Sequence, residues 1–168
     1  MKILYLKPTV FLLSLIGTYE CKVDAKGRLM MPSALKKQLA KELQEGFVVK
    51  RSVFNSCLEL WPMSEWEVMM KKLNGLNRFV KKNVDFIRRF TAGVKLVEAD
   101  ASGRLLIPKD LIAFASITKD IVLTSGGNII EIWDAVGYEE AVSNDDGDFA
   151  ALAEEVMGDQ NDIPDGLS

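Results

Sequence analysis

Residues 24–32 read DAKGRLMMP, and residues 100–108 read DASGRLLIP. The two stretches share an aspartate, a glycine, an arginine, a leucine and a proline at identical spacing. A match of this length within one chain indicates an internal duplication. The fold must therefore accommodate two similar units.

The likeness continues beyond both stretches. FVVKRS at 47–52 parallels IVLTSG at 121–126, and CLELWP at 57–62 parallels IIEIWD at 129–134. The duplication thus covers most of residues 15–142. Apolar alternation on either side of a tight turn is typical of paired strands, so each unit is predicted to run β-turn-β-α-β-β-α.

Each predicted turn has residues that suit its backbone. Aspartate can accept a hydrogen bond from the backbone two residues on, and glycine tolerates a positive φ. The proline that follows suits the first position of a helix. These positions are assigned to the structural motif: Asp24, Gly27, Pro32, Asp100, Gly103 and Pro108.

Two sequence patterns predict helices in the first unit. Leu35, Leu39 and Leu43 recur every four residues, which predicts one helix with an apolar face. Ser64 and Glu67 have the spacing of a capping box, which predicts that a second helix begins there.

The duplication also predicts the fold class. A single hairpin is marginal alone, but two units in one chain can interleave and share a barrel-like core. We therefore expect an α+β fold of duplicated hairpin and helix units. The expected organisation is an N-terminal leader with the first-strand entry at 1–14, a first repeat at 15–76, a linking helix at 77–93, a second repeat at 94–142 and an acidic, disordered tail at 143–168.

The leader has a second interpretation. Lys2 and Lys7 precede an apolar run from Val10 to Ile16, which gives the segment the form of a short signal peptide. The run is far shorter than the roughly 20 apolar residues that span a bilayer. A first strand is favoured, and no membrane association is expected.

Charge is distributed unevenly along the chain. From Asp134 to Ser168 there are eleven acids and no lysine or arginine, so the other 133 residues hold 21 basic and 13 acidic side chains, a net charge of +8. The tail is interpreted as a solubilising, disordered end. The alternative is a tail that competes with an anionic ligand for the basic body.

Composition argues against an enzyme. The chain has no histidine, which removes the commonest general base and metal ligand. Cys21 and Cys57 lack the close spacing of a zinc or redox site. Asp24 and Asp100 each lie near an arginine that should keep them ionised, and no nucleophile accompanies them. No catalytic residue, metal, cofactor or small-molecule ligand is predicted.

The two turns differ in their cations. Lys22, Lys26 and Arg28 surround the first turn, whereas the second has Arg104 with an acid, Glu98, nearby. One interpretation is a turn that holds only a local ion pair. The other is a rigid turn that offers lysine to phosphate and arginine to phosphate or guanine.

The segments IGTYECKVDAKGRLMMPSALKKQL and KLVEADASGRLLIPKDL, with two E-x-W segments, resemble the MraZ family. The resemblance covers roughly residues 15–142. It implies an AbrB-like swapped-hairpin barrel, related to the double-ψ barrel. It also implies a cytoplasmic, nucleoid-associated repressor that binds double-stranded DNA at repeated boxes upstream of its own division and cell-wall operon. A ring-shaped homo-oligomer is implied as well.

The resemblance also assigns site residues. Lys26 and Arg28 match the positions that contact DNA. Arg104 matches the second motif, but Ser102 stands where that motif would have a lysine. The alternative function is a protein-interaction or assembly module, in which the basic linking helix and the acidic tail join subunits.

Overall fold

The computed structural model describes residues 13–143 and 147–158. The strands are β1 (Thr18–Lys22), β2 (Arg28–Met30), β3 (Phe47–Arg51), β4 (Leu58–Pro62), β5 (Lys95–Val97), β6 (Arg104–Leu106), β7 (Asp120–Ser125) and β8 (Ile130–Asp134). The helices are α1 (Ser33–Gln38), α2 (Glu42–Glu45), α3 (Met63–Asn74), α4 (Lys81–Phe90), α5 (Lys109–Phe114), α6 (Ala135–Val142) and α7 (Phe149–Met157).

The strands of the two repeats interleave. A six-stranded antiparallel sheet has the order β1-β7-β8-β4-β3-β5, and β2 pairs with β6 in a separate two-stranded sheet. Strand β1 therefore pairs with a strand of the second repeat, and β5 of the second repeat pairs with β3 of the first. The α+β class is confirmed. The six-stranded sheet is open, with β1 and β5 at its edges, so the expected closed barrel is not confirmed.

Both repeats contribute equivalent residues to the main core. Leu29 and Leu105 are paired across β2 and β6, and Leu35 and Leu111 follow on α1 and α5. All four side chains are buried in one cluster with the inner face of the six-stranded sheet. Full burial of such a side chain is worth roughly 1.5–3 kcal/mol. The core thus links the two repeats.

Aromatic residues cover the outer face of the sheet. Trp61 of β4 meets Trp66 of α3 edge to face at 5.8 Å between ring centroids, and Phe90 of α4 stacks on Trp66 at 6.1 Å. In the second repeat, Trp133 meets Tyr138 of α6 at 6.1 Å. Helix α4, which lies within the predicted linking segment 77–93, is packed against the first repeat through Phe90.

Several helix boundaries differ from the sequence patterns. The single helix expected across Leu35 to Leu43 is wrong, since α1 ends at Gln38 and α2 begins at Glu42. The leucine periodicity indicates which face is buried. That buried face continues through the turn between α1 and α2, so the periodicity does not show where α1 ends. The capping box is also wrong because α3 begins at Met63, directly after Pro62.

The prolines of the motif stand one position before the expected site. Pro32 and Pro108 are N-cap residues in extended conformation, with ψ values of 144° and 143°, and the helices begin at the next residue. A proline in the extended conformation ends the strand segment. Its fixed φ is compatible with a helix that begins at the next residue.

The ends of the chain are described only in part. Residues 1–12, which include most of the expected leader, lie outside the described residues. The expected disordered tail is described at residue 143 and at 147–158, where α7 forms with all its residues exposed. Among the described helices, none combines the length and the apolarity required to cross a membrane.

Candidate nucleic-acid interface

The first turn is held by one carboxylate. Asp24 Oδ1 accepts hydrogen bonds from the backbone N–H groups of Lys26 and Arg28, each at 2.9 Å, and Asp24 Oδ2 accepts from Arg28 Nε at 2.7 Å. The backbone N–H of Asp24 donates to the Arg28 carbonyl at 2.9 Å. These bonds fix both the turn and the arginine that leaves it.

Gly27 fits this turn against the second repeat. Its φ is +86°, and its carbonyl accepts a hydrogen bond from the Ile107 N–H at 2.8 Å. A Cβ at this position would lie 2.6 Å from the Ile107 carbonyl oxygen. Only glycine can therefore occupy the position without displacing backbone.

The second turn repeats this geometry. Asp100 Oδ1 accepts from the backbone N–H groups of Ser102 and Arg104 at 2.9 Å, and Asp100 Oδ2 accepts from Arg104 Nε at 2.9 Å. Gly103 has a φ of +78°. The aspartate, the glycine and the arginine of each motif thus form the same hydrogen-bonded turn.

These hydrogen bonds keep both aspartates ionised. The backbone N–H of Arg28 and then its side chain lower the pKa of Asp24, and Arg104 lowers the pKa of Asp100 in the same order. The two ionised aspartates stabilise the folded state at pH values above the ordinary aspartate pKa. It is lost as the pH falls through the lowered pKa of the folded state.

The cations of the first turn lie at two places, the tip of the turn and the base of the hairpin. Lys26 is exposed at the tip, and Arg28 is partly exposed. Asp24 binds Arg28 through Nε, and the two Nη groups have no hydrogen-bond partner among the described residues. Lys22 is exposed at the end of β1, opposite Asp120 in the register, and so lies at the base of the hairpin.

Arg104 does not join the first-turn cations on one surface. In the pairing of β2 with β6, Arg28 is opposite Leu106 and Met30 is opposite Arg104. Each arginine begins its strand, and the strands are antiparallel. The two turns therefore extend from opposite ends of the two-stranded sheet.

Lys36 is a further cation beside a turn, and the sequence analysis does not assign it there. Lys36 of α1 lies against the second turn, where a Cβ on Gly103 would be 2.9 Å from its Nζ. The equivalent residue, Ile112, packs on Gly27 of the first turn. Strand exchange places each helix beside the turn of the other repeat, and no local pattern in one chain signals that.

Both cysteines of the chain lie among the described residues. Burial raises the pKa of Cys21 to about 11 and that of Cys57 to about 12, so both thiols stay protonated at neutral pH. Within residues 13–143 and 147–158, no three potential ligands are grouped to hold a metal ion. The charged turn that Asp24 holds is the candidate site.

The fold and turns define a protein of duplicated, interleaved hairpin units with a preset arginine in each turn. The family model "MraZ protein, putative antitoxin-like" matches residues 14–89 and again residues 90–159. The chain therefore belongs to the MraZ family of transcriptional regulators.

Relatives match along nearly the whole chain. A protein of Flavobacterium psychrophilum is 70% identical over 155 residues, covering 92% of this chain and 99% of the relative. One of Christiangramia forsetii is 68% identical, covering 94% and 100%. One of Bacteroides thetaiotaomicron is 35% identical, covering 87% and 94%. Each is named transcriptional regulator MraZ.

Proposed function

We propose that this protein is a repressor that reads double-stranded DNA through its first turn. The observation that carries the proposal is the bond from Arg28 Nε to Asp24 at 2.7 Å on an exposed turn. The carboxylate orients the guanidinium and leaves its Nη edge for a partner. A pre-oriented arginine can bind the O6 and N7 atoms of guanine bidentately at a small entropic cost.

The other first-turn cations have a different role. Lys26 is exposed at the tip and Lys22 at the base of the same hairpin. A lysine ammonium attracts phosphate without reading sequence. We assign Arg28 to base readout, and Lys26 and Lys22 to the DNA backbone.

The second turn is less suited to the same task. Ser102 replaces the tip lysine, and Glu98 lies two residues before Asp100, the partner of Arg104, so two acids stand close to this arginine. The opposite directions of the turns also prevent both from entering one groove together. Arg104 is assigned to support of the turn, with DNA contact secondary.

One turn with so few cations should bind DNA weakly. Several turns that act together give strong binding because the later contacts become intramolecular. This favours a ring-shaped homo-oligomer on repeated promoter boxes. From the family resemblance alone, we propose that these boxes lie upstream of its own division and cell-wall operon. The site of action is then the nucleoid in the cytoplasm.

The test is selection from a random DNA duplex pool, followed by binding across a salt series. Wild type should enrich spaced repeats. Arg28→Ala should lose discrimination at the contacted base, worth about 1–3 kcal/mol per engaged turn. Lys26→Ala should weaken all sequences alike and lower the salt slope by about 0.9 per engaged turn.

Arg104→Ala is the matched control because the same side chain and the same aspartate bond are removed at the other turn. It should retain the wild-type site. Equal binding by wild type, Arg28→Ala and Lys26→Ala would overturn the proposal.

The alternative is an assembly module without direct DNA readout. The exposed cations of α4, at Lys81, Lys82, Arg88 and Arg89, favour it. In that case no duplex is enriched, and complexes on a sizing column are unchanged by Arg28→Ala.

A further inference from the structure

The second turn lies beside a cation that belongs to the other repeat. A Cβ on Gly103 would be 2.9 Å from Lys36 Nζ, and this Nζ donates to Met30 Sδ at 3.1 Å. Met30 is directly opposite Arg104 in the pairing of β2 with β6, and Gly103 immediately precedes that arginine. The ammonium of Lys36 is therefore a neighbour of Arg104.

These two cations are not fully neutralised within the described part of the chain. Lys36 takes part in no ion pair there, and the Met30 thioether is only a weak acceptor. Asp100 binds Arg104 through Nε at 2.9 Å, and the Nη groups have no hydrogen-bond partner among described residues. Two cations with one carboxylate leave the site with a net charge of +1.

Glu98, the other acid near Arg104, does not pair with either cation. A Cβ on Gly46 would lie 3.6 Å from Glu98 Cγ, so this side chain packs beside the loop between α2 and β3. No ion pair joins Glu98 to Lys36 or to Arg104. The positive charge beside the second turn is therefore available to an anionic partner.

Strand exchange gives the second turn the lysine that its own sequence lacks. At the first turn the tip has Lys26, and Ile112 of α5 lies 3.0 Å from the place of a Cβ on Gly27. At the second turn the tip has Ser102, and α1 supplies Lys36. Each turn thus combines one arginine with one lysine, but the lysine of the second turn lies on its flank.

This set of groups suits a phosphate of the DNA backbone. Lysine, arginine and serine side chains are common donors to phosphate oxygens. Strands β2 and β6 are three residues long, which is about 10 Å. The major groove of B-DNA is about 12 Å wide. When the first turn enters the groove, the second turn can therefore lie at the level of the flanking backbone.

We propose that Lys36, Arg104 and Ser102 form a phosphate-binding site that holds the backbone of the duplex whose bases the first turn reads. This inference rests on the proposed function and adds a contact from the other end of the two-stranded sheet. The site contacts phosphodiester oxygens and reads no base. It strengthens binding and fixes the orientation of the protein on the duplex.

The first test measures binding across a salt series, on the selected duplex and on an unrelated duplex. Lys36→Gln should weaken binding to both duplexes by the same factor and lower the salt slope by about 0.9 per engaged second turn. Lys36→Arg, which keeps the charge, should retain the wild-type slope. Lys37→Gln is the matched control at the next, exposed position of α1 and should also retain it.

The second test locates the contact on the DNA. A neutral methylphosphonate replaces each phosphate of the selected duplex in turn. At one position beside the bases that Arg28 reads, this replacement should weaken binding of wild type and of Lys37→Gln. It should have little further effect on Lys36→Gln, because both changes remove the same contact. Losses that add at every position would give Lys36 a structural role and overturn the proposal.

The outcomes separate this site from the proposed function. If Arg28→Ala loses the selected site while Lys36→Gln keeps the wild-type affinity and slope, the phosphate site alone fails. If wild type binds no duplex, the proposed function fails and the phosphate site fails with it. Calorimetric titration with inorganic phosphate tests for a free anion. Phosphate binding that Lys36→Gln abolishes, with DNA binding unchanged, would overturn the backbone contact.

Discussion

Gly27 and Gly103 hold equivalent turns but have different surroundings. Both have positive φ, at +86° and +78°. A Cβ on Gly27 would lie 2.6 Å from the carbonyl oxygen of Ile107, which is backbone. A Cβ on Gly103 would meet the Nζ end of Lys36, a flexible side chain. The first turn is therefore the less tolerant of the two.

We expect Gly27→Ala to be more destabilising than Gly103→Ala. Both variants place a side chain in the left-handed region, which costs of order 1–3 kcal/mol. Gly27→Ala must also displace Ile107 and weaken its 2.8 Å hydrogen bond. Urea unfolding of both variants measures the difference. Equal loss of stability would contradict the close approach at Gly27.

For single residues, the sequence predicts the geometry of the two turns. Aspartate, glycine and arginine at fixed spacing define the turn because their bonds are local. Lys36 could not be found in this way because its position beside Gly103 depends on which strands pair. The DNA-contacting roles of Lys22, Lys26, Arg28 and Arg104 stay predictions.

Single elements of the sheet show where the repeats have diverged. A polar row crosses four strands, with Lys50 opposite Glu59, Glu59 opposite Glu131, and Glu131 opposite Thr124. Lys50 is 1% exposed, and its Nζ donates to Glu59 Oε2 at 3.1 Å. The lysine is the only cation in this row, which has two carboxylates.

Removal of that cation should strongly destabilise the sheet. Lys50→Thr installs the residue found at the equivalent place of the second repeat. We expect a loss of up to about 3–5 kcal/mol because the largely buried Glu59 loses its cation and keeps the hydrogen bond from Trp61 Nε1. Lys50→Thr with Glu59→Gln should recover part of it.

Urea unfolding at neutral pH measures both variants. Thr124→Val is the control at the equivalent position and should change stability far less. If Lys50→Thr alone is as stable as Lys50→Thr with Glu59→Gln, the charge of Glu59 is not what destabilises the single variant.

Element boundaries are less predictable than element types. The leucines at 35, 39 and 43 identify a buried face, but α1 and α2 are separate helices. Ser64 has capping-box spacing, yet Pro62 starts α3 earlier because its own geometry ends β4. Local patterns report which face is buried more reliably than where the backbone changes direction.

Across the whole molecule, the repeats cannot be separated without breaking both sheets. Strand β1 pairs with β7, β4 with β8, and β2 with β6. The main core contains equivalent leucines of both repeats. The molecule should therefore unfold as one cooperative unit.

Leu105→Ala tests this cooperativity. Leu105 is fully buried, so its truncation should cost about 2–5 kcal/mol. Hydrogen exchange should show protection falling together in strands of both repeats, and Leu29→Ala should give the same pattern. Loss of protection confined to the mutated repeat would contradict a single cooperative unit.

The sequence predicts the duplication and the α+β class, but it does not predict the open sheet. Alternation identifies the strands of each unit, and interleaving is a reasonable consequence of two marginal hairpins. Closure depends on whether β1 and β5 meet, and nothing in their local sequence specifies this. Both strands lie at the edges.

Strand exchange also sets the order of events on the ribosome. Thr18 of β1 hydrogen-bonds to Thr124 of β7, a separation of 106 positions. Such long-range pairing slows folding because a large loop must close first. Strands β1 and β2 beside the first turn leave the ribosome early, but their partners β7 and β6 are synthesised about 100 and about 75 residues later. Nascent chains must therefore carry β1 and β2 without their sheet partners until β6 and β7 emerge.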